Sequence, residues 1–405
     1  MLCAITHSGF IMGSFDMLVN RIVSSVAAGM VVVIIGFASS AALIYQTVIN
    51  LGGDTHIASS WLLVLGLTIG GTSIGLSLYY RLPILIAWST PGAALLIANG
   101  QGFNLNEAIA GFIFSGGLIL LCGVTGWFEK LISKIPFQLA SAMLAGILIN
   151  FGIGVFNQMN EAPWIVIVML ATYFISKQII PKFSMLLVLL SCMIFAWQFN
   201  LVSDQPLSWQ ASEFYYIAPH FTMDVILGIS LPLFIVTMAA QNLPGIAVFK
   251  AHNYDAPVSA ILSVTGFVNM VTAPFGCYAI NLAAITAAIC MTDEVSEKPS
   301  ERYWAAIAGG IVYLIMAIFS GYLMSVFAIL PDTLIYSLAG IALFSTIGNS
   351  LQQAVVASNV SEASIITFIV TASNITLWGV SSVLWGLMAG GAILLIQKMF
   401  KRQTR

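Results

Sequence analysis

Two short apolar stretches of the sequence carry polar and glycine residues in an arrangement that could bind an anion. One begins at Pro83 and the other at Pro274, and each has about 17 residues. A single helix of that length, rising ~1.5 Å per residue, barely crosses a hydrocarbon core of ~30 Å. We therefore interpret each stretch as extended chain followed by a half-helix, whose first N–H groups lack helical partners and attract a carboxylate. The candidate binding residues in these stretches are Trp88, Ser89, Thr90, Gly92, Phe275, Tyr278 and Asn281.

A third apolar stretch contains amide and hydroxyl side chains shortly before Pro244. Gln241 and Asn242 interrupt a run in which unpaired amides are costly, so they either cross-link helices or face a cavity. Thr237 lies four residues before Gln241, and on a straight helix the two share one face. Thr237, Gln241 and Asn242 complete the predicted substrate-binding residues. Secondary candidates, for which hydrogen bonding between helices is the stronger interpretation, are Ser39, Ser40, Tyr45, Gln46, Ser345, Thr346, Asn349 and Ser350.

The sequence shows no motif for metal binding or nucleophilic catalysis. The 5 cysteines are scattered without a C-x-x-C pair, and the 4 histidines are dispersed in predicted loops. An intramembrane enzyme would need a metal motif such as H-E-x-x-H, a nucleophile motif or a pair of membrane-embedded aspartates. We therefore predict no catalytic residue, no metal site and no cofactor, and we do not predict an enzyme.

The composition places most of the chain in lipid. Of 405 residues, 60% are hydrophobic and only 7% are charged, with 13 Lys and Arg against 15 Asp and Glu. A soluble protein carries about 25% charged residues, so these charges cannot cover the surface of soluble domains of this total length. The composition excludes a soluble enzyme, and it excludes a nucleic-acid-binding protein because such a protein needs a basic face.

The apolar runs are long and do not alternate, which predicts helices rather than the strands of a membrane barrel. Charge, Pro and Gly divide the chain into about fourteen runs, and merging the tightest junctions would give about twelve. The predicted segments are 22–48, 58–80, 83–99, 107–127, 138–158, 163–180, 184–203, 224–245, 257–273, 274–290, 303–328, 333–351, 363–379 and 381–398. The predicted fold class is an all-α polytopic membrane protein in which segments three and ten are broken into a short strand plus a half-helix.

The Lys and Arg residues fall on one side of the membrane if these segments alternate from a cytoplasmic N-terminus. All 13 are then cytoplasmic, whereas the opposite side carries acids and no cation. This separation follows the positive-inside rule, so we predict about fourteen crossings with both termini cytoplasmic. The acids on the opposite side are Asp54, Glu107, Glu161, Asp204, Glu213, Asp224 and Asp332.

The two broken segments occupy the third and tenth positions of this series. They are seven positions apart, and because seven is odd the two halves of the chain would have opposite orientations in the membrane. Interrupted segments at corresponding positions of two halves are typical of the binding site of a secondary transporter. We predict inverted seven-span repeats over residues 22–203 and 224–398, and the alternative is a bundle of Pro-kinked helices.

Five stretches of the chain resemble the benzoate:proton symporter (BenE-type) family. They are 36–41, 87–95, 143–147, 237–246 and 274–289, and the resemblance extends over about residues 20–400. That family is similar in architecture to the nucleobase–cation symporters and the sulfate-transporter-like carriers. The resemblance implies a core domain and a gate domain, each formed from both repeats, with the substrate between segments three, eight and ten.

The resemblance also bears on the charge of the substrate. Nucleobase carriers of this architecture place acidic residues where this chain has Gln241 and Asn281. Loss of those acids fits an anionic substrate, because a fixed carboxylate would repel it. The loss of those acids also means that the residue that couples transport to the proton is not identified.

Together these inferences predict a secondary transporter of the bacterial inner membrane that imports benzoate, or a related aromatic carboxylate, with a proton. The carboxylate would accept hydrogen bonds from Thr90, Gln241 and Asn281. The ring would lie against Trp88, Phe275 or Tyr278. For each of these side chains taken alone, packing in the protein is a stronger explanation than contact with the substrate. The alternatives are a symporter of another organic anion or a nucleobase on the same scaffold, and a passive anion channel. The predicted partners are the substrate, the proton and the lipid bilayer, with no nucleic acid, and the oligomeric state stays open, a homo-oligomer included.

Overall fold

The computed structural model describes residues 29–403 apart from 31–32, 34–35, 38–39, 101, 128–135, 204–210, 294 and 357–360. Ser39, Asp204 and the start of the predicted segment 22–48 therefore lie outside the described residues.

The described part of the first half of the chain forms helices and one short strand. These elements are α1 (40–50), α2 (Thr55–Tyr80), β1 (Ile86–Trp88), α3 (Thr90–Asn99), α4 (Leu105–Thr125), α5 (Phe137–Asn157), α6 (Pro163–Ile179) and α7 (Ser184–Gln198). Polar residues define where helices begin: Asp54 Oδ1 accepts from the Ile57 N–H at the start of α2 (2.9 Å). Asn104 and Glu107 accept from each other's backbone N–H at the start of α4 (3.0 Å each). Each cap satisfies N–H groups that a helix leaves unpaired at its start.

The described part of the second half likewise consists of helices and one short strand. They are α8 (Met223–Ala251), α9 (Val258–Thr272), β2 (Ile280–Leu282), α10 (Ile285–Cys290), α11 (Tyr303–Ile318), α12 (Ser320–Ile329), α13 (Asp332–Val355), α14 (Ser361–Ala372) and α15 (Ser382–Gln403). The predicted segment 303–328 is occupied by two helices, α11 and α12, which are separated at Phe319. Ser320 donates to the Ala317 carbonyl (2.6 Å) and shares a hydrogen bond with Ser212 (2.7 Å), so local side-chain bonds compete with the helical pattern there.

Within the described residues, 9 helices are long and apolar enough to cross a membrane. They correspond to α2, α4, α5, α7, α8, α9, α11, α13 and α15. Helices α6, α12 and α14 are apolar but shorter, and α3 and α10 are half-helices. The chain is therefore a mostly helical protein with several apolar helices of membrane-spanning length, while the count of about fourteen crossings stays a prediction.

Helices from the two halves pack against each other in pairs. Helix α2 packs along α11, α4 along α9, and α5 along α13. Glycines permit the close approach: a Cβ on Gly70 would lie 2.6 Å from the carbonyl oxygen of Gly310, and one on Gly116 would lie 3.2 Å from that of Gly266. Since α2 also contacts β1 and α9 contacts β2, two of these pairs hold the broken segments between them.

The two broken segments each fold as a three-residue strand followed by a short helix, as the sequence predicts. Strands β1 and β2 pair antiparallel, with Ala87 opposite Asn281. The ladder extends at both ends, where the Ser89 N–H donates to the Ala279 carbonyl (3.1 Å) and the Ala283 N–H to the Leu85 carbonyl (3.0 Å). Backbone that is not helical is tolerated inside a membrane protein when it is enclosed and hydrogen-bonded in this way.

Candidate functional site

The start of α3 is built by Ser89. Its hydroxyl oxygen accepts from the Gly92 N–H (2.9 Å), and Pro91 occupies the first turn, where a missing N–H costs nothing. Ser89 is wholly buried, so it serves to begin the helix. Thr90 remains half-buried, and its hydroxyl lies 3.4 Å from that of Ser40 on α1. Of the hydroxyls at this helix start, Thr90 is the one available to a bound molecule.

The approach to β2 is shaped by two residues of positive φ, Gly276 (φ 98°) and Ala279 (φ 41°). Asn281, within the strand, donates from Nδ2 to the Ala279 carbonyl (2.8 Å). Its Oδ1 is buried and has no hydrogen-bond partner among the described residues. A buried acceptor without a partner is costly, so a donor that reached the strand pair would be stabilised by this oxygen.

Helix α8 contains two π-helical turns, Ile226–Ser230 and Met238–Asn242. A π turn bonds residue i to i+5, so it shifts the helical register by one residue and often occurs at functional sites. Thr237 and Asn242, five apart, are both wholly buried, whereas Gln241 is half-buried. Thr237 therefore lies deeper in the protein than Gln241, and their shared use of one helix face stays a prediction.

Asn242 cross-links α8 to the strand pair. Its Oδ1 accepts from the Leu282 N–H (3.0 Å), and its Nδ2 lies 3.4 Å from the Met238 sulfur. Gly245 lies against the same strand residue, since a Cβ there would be 2.7 Å from Leu282 Cβ. The amide of Gln241, by contrast, makes no hydrogen bond to any residue that the structure describes. Of the two adjacent amides, Asn242 is structural and Gln241 is free to bind.

Helix α8 packs on the other broken segment as well. A Cβ on Gly92 would lie 2.9 Å from Leu233 Cδ1, so the glycine allows α8 to contact the first turn of α3. Helix α5 contacts both α3 and the turn Met238–Asn242. We call β1, the first turn of α3, β2, α10 and the turn Met238–Asn242 the broken-helix site.

The three candidate aromatic residues belong to separate groups of rings. Trp88 packs edge-on against Phe37 and Tyr313, with centroids 5.1 and 5.9 Å away. Tyr278 is wholly buried and contacts Trp61 (6.2 Å) and Phe112 (5.7 Å). Phe275 contacts two rings of the loop before α8, Phe214 (6.2 Å) and Tyr216 (5.7 Å). The structure therefore does not bring the three rings together around one molecule.

The broken-helix site combines neutral donors with the start of a half-helix. Segments 83–99, 237–245 and 274–290 contain no Asp, Glu, Lys, Arg or His. Asn281 pairs with Ala87, which lies three residues before Thr90. Gln241 directly precedes Asn242, which is bonded to Leu282. The site can supply hydrogen bonds and a positive helix end to an anion without a fixed charge.

Sequence reasoning missed the serines of α2 that hold β1. Ser73 Oγ accepts from the Ile86 N–H (2.9 Å), and the Ser77 hydroxyl donates to the Ile84 carbonyl (2.9 Å). Both serines are wholly buried. Two serines four residues apart on one face of an apolar helix are the signal that could have identified them.

Some of the secondary candidates make contacts between helices. Tyr45 stacks on Phe327 with centroids 6.2 Å apart, and Ser345 accepts from Lys177 Nζ (2.8 Å). Gln46 differs, because it is buried and neither atom of its amide has a hydrogen-bond partner among the described residues.

Residues 20–396 match the family described as BenE, benzoate membrane transport protein. This chain belongs to the BenE family. As a BenE-family protein it is a membrane transport protein. Among its relatives, the inner membrane protein YdcO of Escherichia coli (strain K12) is 42% identical over 378 residues, which are 93% of this chain and 97% of that protein. The benzoate membrane transport protein of Acinetobacter baylyi (strain ATCC 33305 / BD413 / ADP1) is 34% identical over 367 residues, 91% of this chain and 93% of that protein.

The BenE-family protein also resembles a solved transporter domain in its fold. The transmembrane domain of the bicarbonate transporter BicA from a cyanobacterium aligns with a TM-score of 0.59, at 14% identity, over 90% of this chain and 97% of that domain. At this identity the likeness concerns the fold alone. Similarity in architecture to the nucleobase–cation symporters stays a prediction.

Proposed function

We propose that this BenE-family protein is a secondary active transporter that imports benzoate, or a related aromatic carboxylate, together with a proton. The observation that carries the proposal is the amide of Gln241, which makes no hydrogen bond within the described residues and directly precedes Asn242, the residue bonded to Leu282 on the strand pair. The neutral lining suits a carboxylate because it offers donors without a repelling acid. The name of the Acinetobacter baylyi relative, a benzoate membrane transport protein, supports the choice of substrate.

In this proposal the carboxylate binds at the start of α3 and accepts hydrogen bonds from Thr90, Gln241 and Asn281. The positive end of the α3 dipole stabilises its charge. Trp88 is the preferred wall for the aromatic ring, because it lies two residues before Thr90 on the paired strand. Tyr278 is enclosed by Trp61 and Phe112, which leaves it a packing role.

The proposed architecture is two inverted repeats, 22–203 and 224–398, that contribute about fourteen crossings to a core and a gate domain. The packing of the helices supports this architecture. If each segment of the first repeat corresponds to the segment seven positions later, α2 corresponds to α9 and α4 corresponds to α11. The repeat symmetry then relates the pair α2–α11 to the pair α9–α4, and both pairs occur. The two strand-plus-half-helix segments correspond in the same way. Transport would follow movement of the core, which carries the broken-helix site, against the gate.

The proposed location is the bacterial inner membrane, with both termini cytoplasmic. The placement of all 13 Lys and Arg on one side under the fourteen-span topology supports this orientation. The Escherichia coli relative is named an inner membrane protein, which agrees with it.

Uptake of labelled benzoate into proteoliposomes tests the function. We expect saturable uptake that exceeds equilibrium when an inward proton gradient is imposed and that falls when the gradient is collapsed. Uptake indifferent to the gradient would refute proton coupling, and non-saturating flux would indicate a channel. Competition by a panel of aromatic acids, bicarbonate and nucleobases would identify a different substrate on this scaffold.

A further inference from the structure

A cavity of about 420 Å³ lies away from the broken-helix site, at the far end of α3. Its walls come from the end of α3 at Asn99, the second half of α5 around Gly154, the start of α13 at Tyr336, and the loop between α14 and α15 around Ser381. Gly228, in the first π turn of α8, also lines it. We call it the amide cavity. Its volume is in the range of small-molecule sites, about 300–1,000 Å³.

The lining of the amide cavity is neutral and rich in donors. Asn99, Asn150, Gln158 and Asn374 contribute amides, and Ser381 contributes a hydroxyl. Among the described lining residues no side chain carries a charge. The aromatic part of the wall is formed by three rings: Phe103, Phe151 and Tyr336. Amide donors beside aromatic rings are the chemistry that recognises a flat molecule with one anionic or polar end.

Two polar groups in this wall have no partner among the described residues. Ser381 is 2% exposed, and its Oγ makes no hydrogen bond. The Nδ2 of Asn99 is likewise buried and unpaired. A buried polar group left without a partner is costly, so two such groups in one cavity indicate a ligand that pairs with them.

We propose that the amide cavity is a second binding site for the aromatic carboxylate, distinct from the broken-helix site; this inference rests on the proposed function. Helix α3 links the two sites, because Ser89 begins it at the strand pair and Asn99 ends it at the cavity. Its 10 residues separate the two ends by about 15 Å. A carboxylate bound at one end of α3 therefore does not occupy the site at the other end, so the chain binds two carboxylate molecules.

The position of the cavity gives the second site a role. Its walls combine α3 and α8, which build the broken-helix site, with α5 and α13, which pack against each other. On the proposed topology this end of α3 faces away from the cytoplasm. The amide cavity thus captures the carboxylate on the side from which import begins, and movement of α3 and α8 relative to α5 and α13 changes its shape.

Gly154 offers a way to fill the cavity without disturbing its surroundings. It lines the cavity, and a Cβ added there meets no atom within 4 Å. Gly71 on α2 is a matched control, because a Cβ there is equally unobstructed and Gly71 is exposed outside the cavity. In both helices the substitution of glycine also improves helix propensity.

Equilibrium dialysis of labelled benzoate against the purified full chain tests the inference. We expect two benzoates per chain for the wild type and for Gly71→Leu, and one for Gly154→Leu. Two sites retained in Gly154→Leu, or a single site in the wild type, would overturn the second site and leave the proposed function intact. No saturable binding to the wild type would overturn both.

A second measurement does not depend on stoichiometry. Thr376 lines the same cavity and is exposed, so a cysteine at this position is open to an alkylating reagent. In the Thr376→Cys variant, we expect benzoate to slow alkylation at position 376, followed by mass spectrometry, at least threefold. The same protection is expected when Gln241→Leu is added, because that change weakens only the broken-helix site. Alkylation unaffected by benzoate, or protection abolished by Gln241→Leu, would overturn the inference.

Discussion

Asn242 Oδ1 accepts a hydrogen bond from the backbone N–H of Leu282 at 3.0 Å, and this bond fastens α8 to the strand pair. Both residues are wholly buried. The bond spans the two elements that the proposed transport cycle must move as one body. It also separates the roles of two adjacent amides, because Gln241 is left free.

Asn242→Ala is expected to destabilise the protein. The change leaves the Leu282 N–H buried without an acceptor, which costs about 1–3 kcal/mol. A lowered midpoint of thermal unfolding in detergent is the measurement. Gln241→Ala removes no hydrogen bond to the described residues and should leave the midpoint unchanged, so equal losses in the two variants would contradict the assignment.

Gln241→Ala is instead expected to weaken substrate binding. Loss of a hydrogen bond to a carboxylate, worth about 1.5–3 kcal/mol, should raise the KM for benzoate by about 10–100-fold. Thr90→Val should act in the same direction. Gln178→Ala, on the exposed surface of α6, is the matched control, and uptake kinetics should not distinguish it from the wild type. Unchanged KM in both site variants would refute the proposed placement of the carboxylate.

Gly245→Ala tests the contact of α8 with β2. A Cβ at this position would lie 2.7 Å from Leu282 Cβ, so the helix or the strand must shift, at a cost of about 1–3 kcal/mol. We expect reduced thermal stability and reduced uptake together. Gly71→Ala, where the added Cβ meets open space, should change neither.

Ser89→Ala tests the start of α3. Loss of the hydrogen bond from the Gly92 N–H removes the helix cap, which costs about 0.5–2 kcal/mol. Ser89→Thr keeps a hydroxyl acceptor and should restore most of the stability. If Ser89→Ala weakened benzoate binding at undiminished stability, the serine would be a ligand rather than a cap.

The broken segments could be predicted because their signals are local. Pro83 and Pro274 open stretches that are too short for a full span, and polar and glycine residues precede the part that favours a helix. The break at Phe319 could not be predicted, because Ser320 contacts Ser212, more than a hundred residues away in the chain. A serine in an apolar run does not by itself reveal so distant a partner.

Candidate residues for the site could be selected from the sequence, whereas their hydrogen-bond partners came only from the structure. Thr90 and Gln241 were identified because polar groups in apolar runs need partners. The same reasoning selected Ser89 and Asn242, whose hydrogen bonds turn out to be structural. It also selected Phe275, which contacts the rings of a distant loop. Residue type alone does not distinguish a side chain that binds a ligand from one that fastens two helices.

The sequence by itself determined that this is a helical protein with two broken segments that contain neutral polar residues, since composition and punctuation are properties of the chain. Only the tertiary structure decided that Ala87 pairs with Asn281, that Asn242 rather than Gln241 holds the strand, and that the amide cavity exists. Each of these depends on residues far apart in the chain, or on a π turn stabilised by its surroundings. Their positions follow from packing, which periodicity along the chain does not encode.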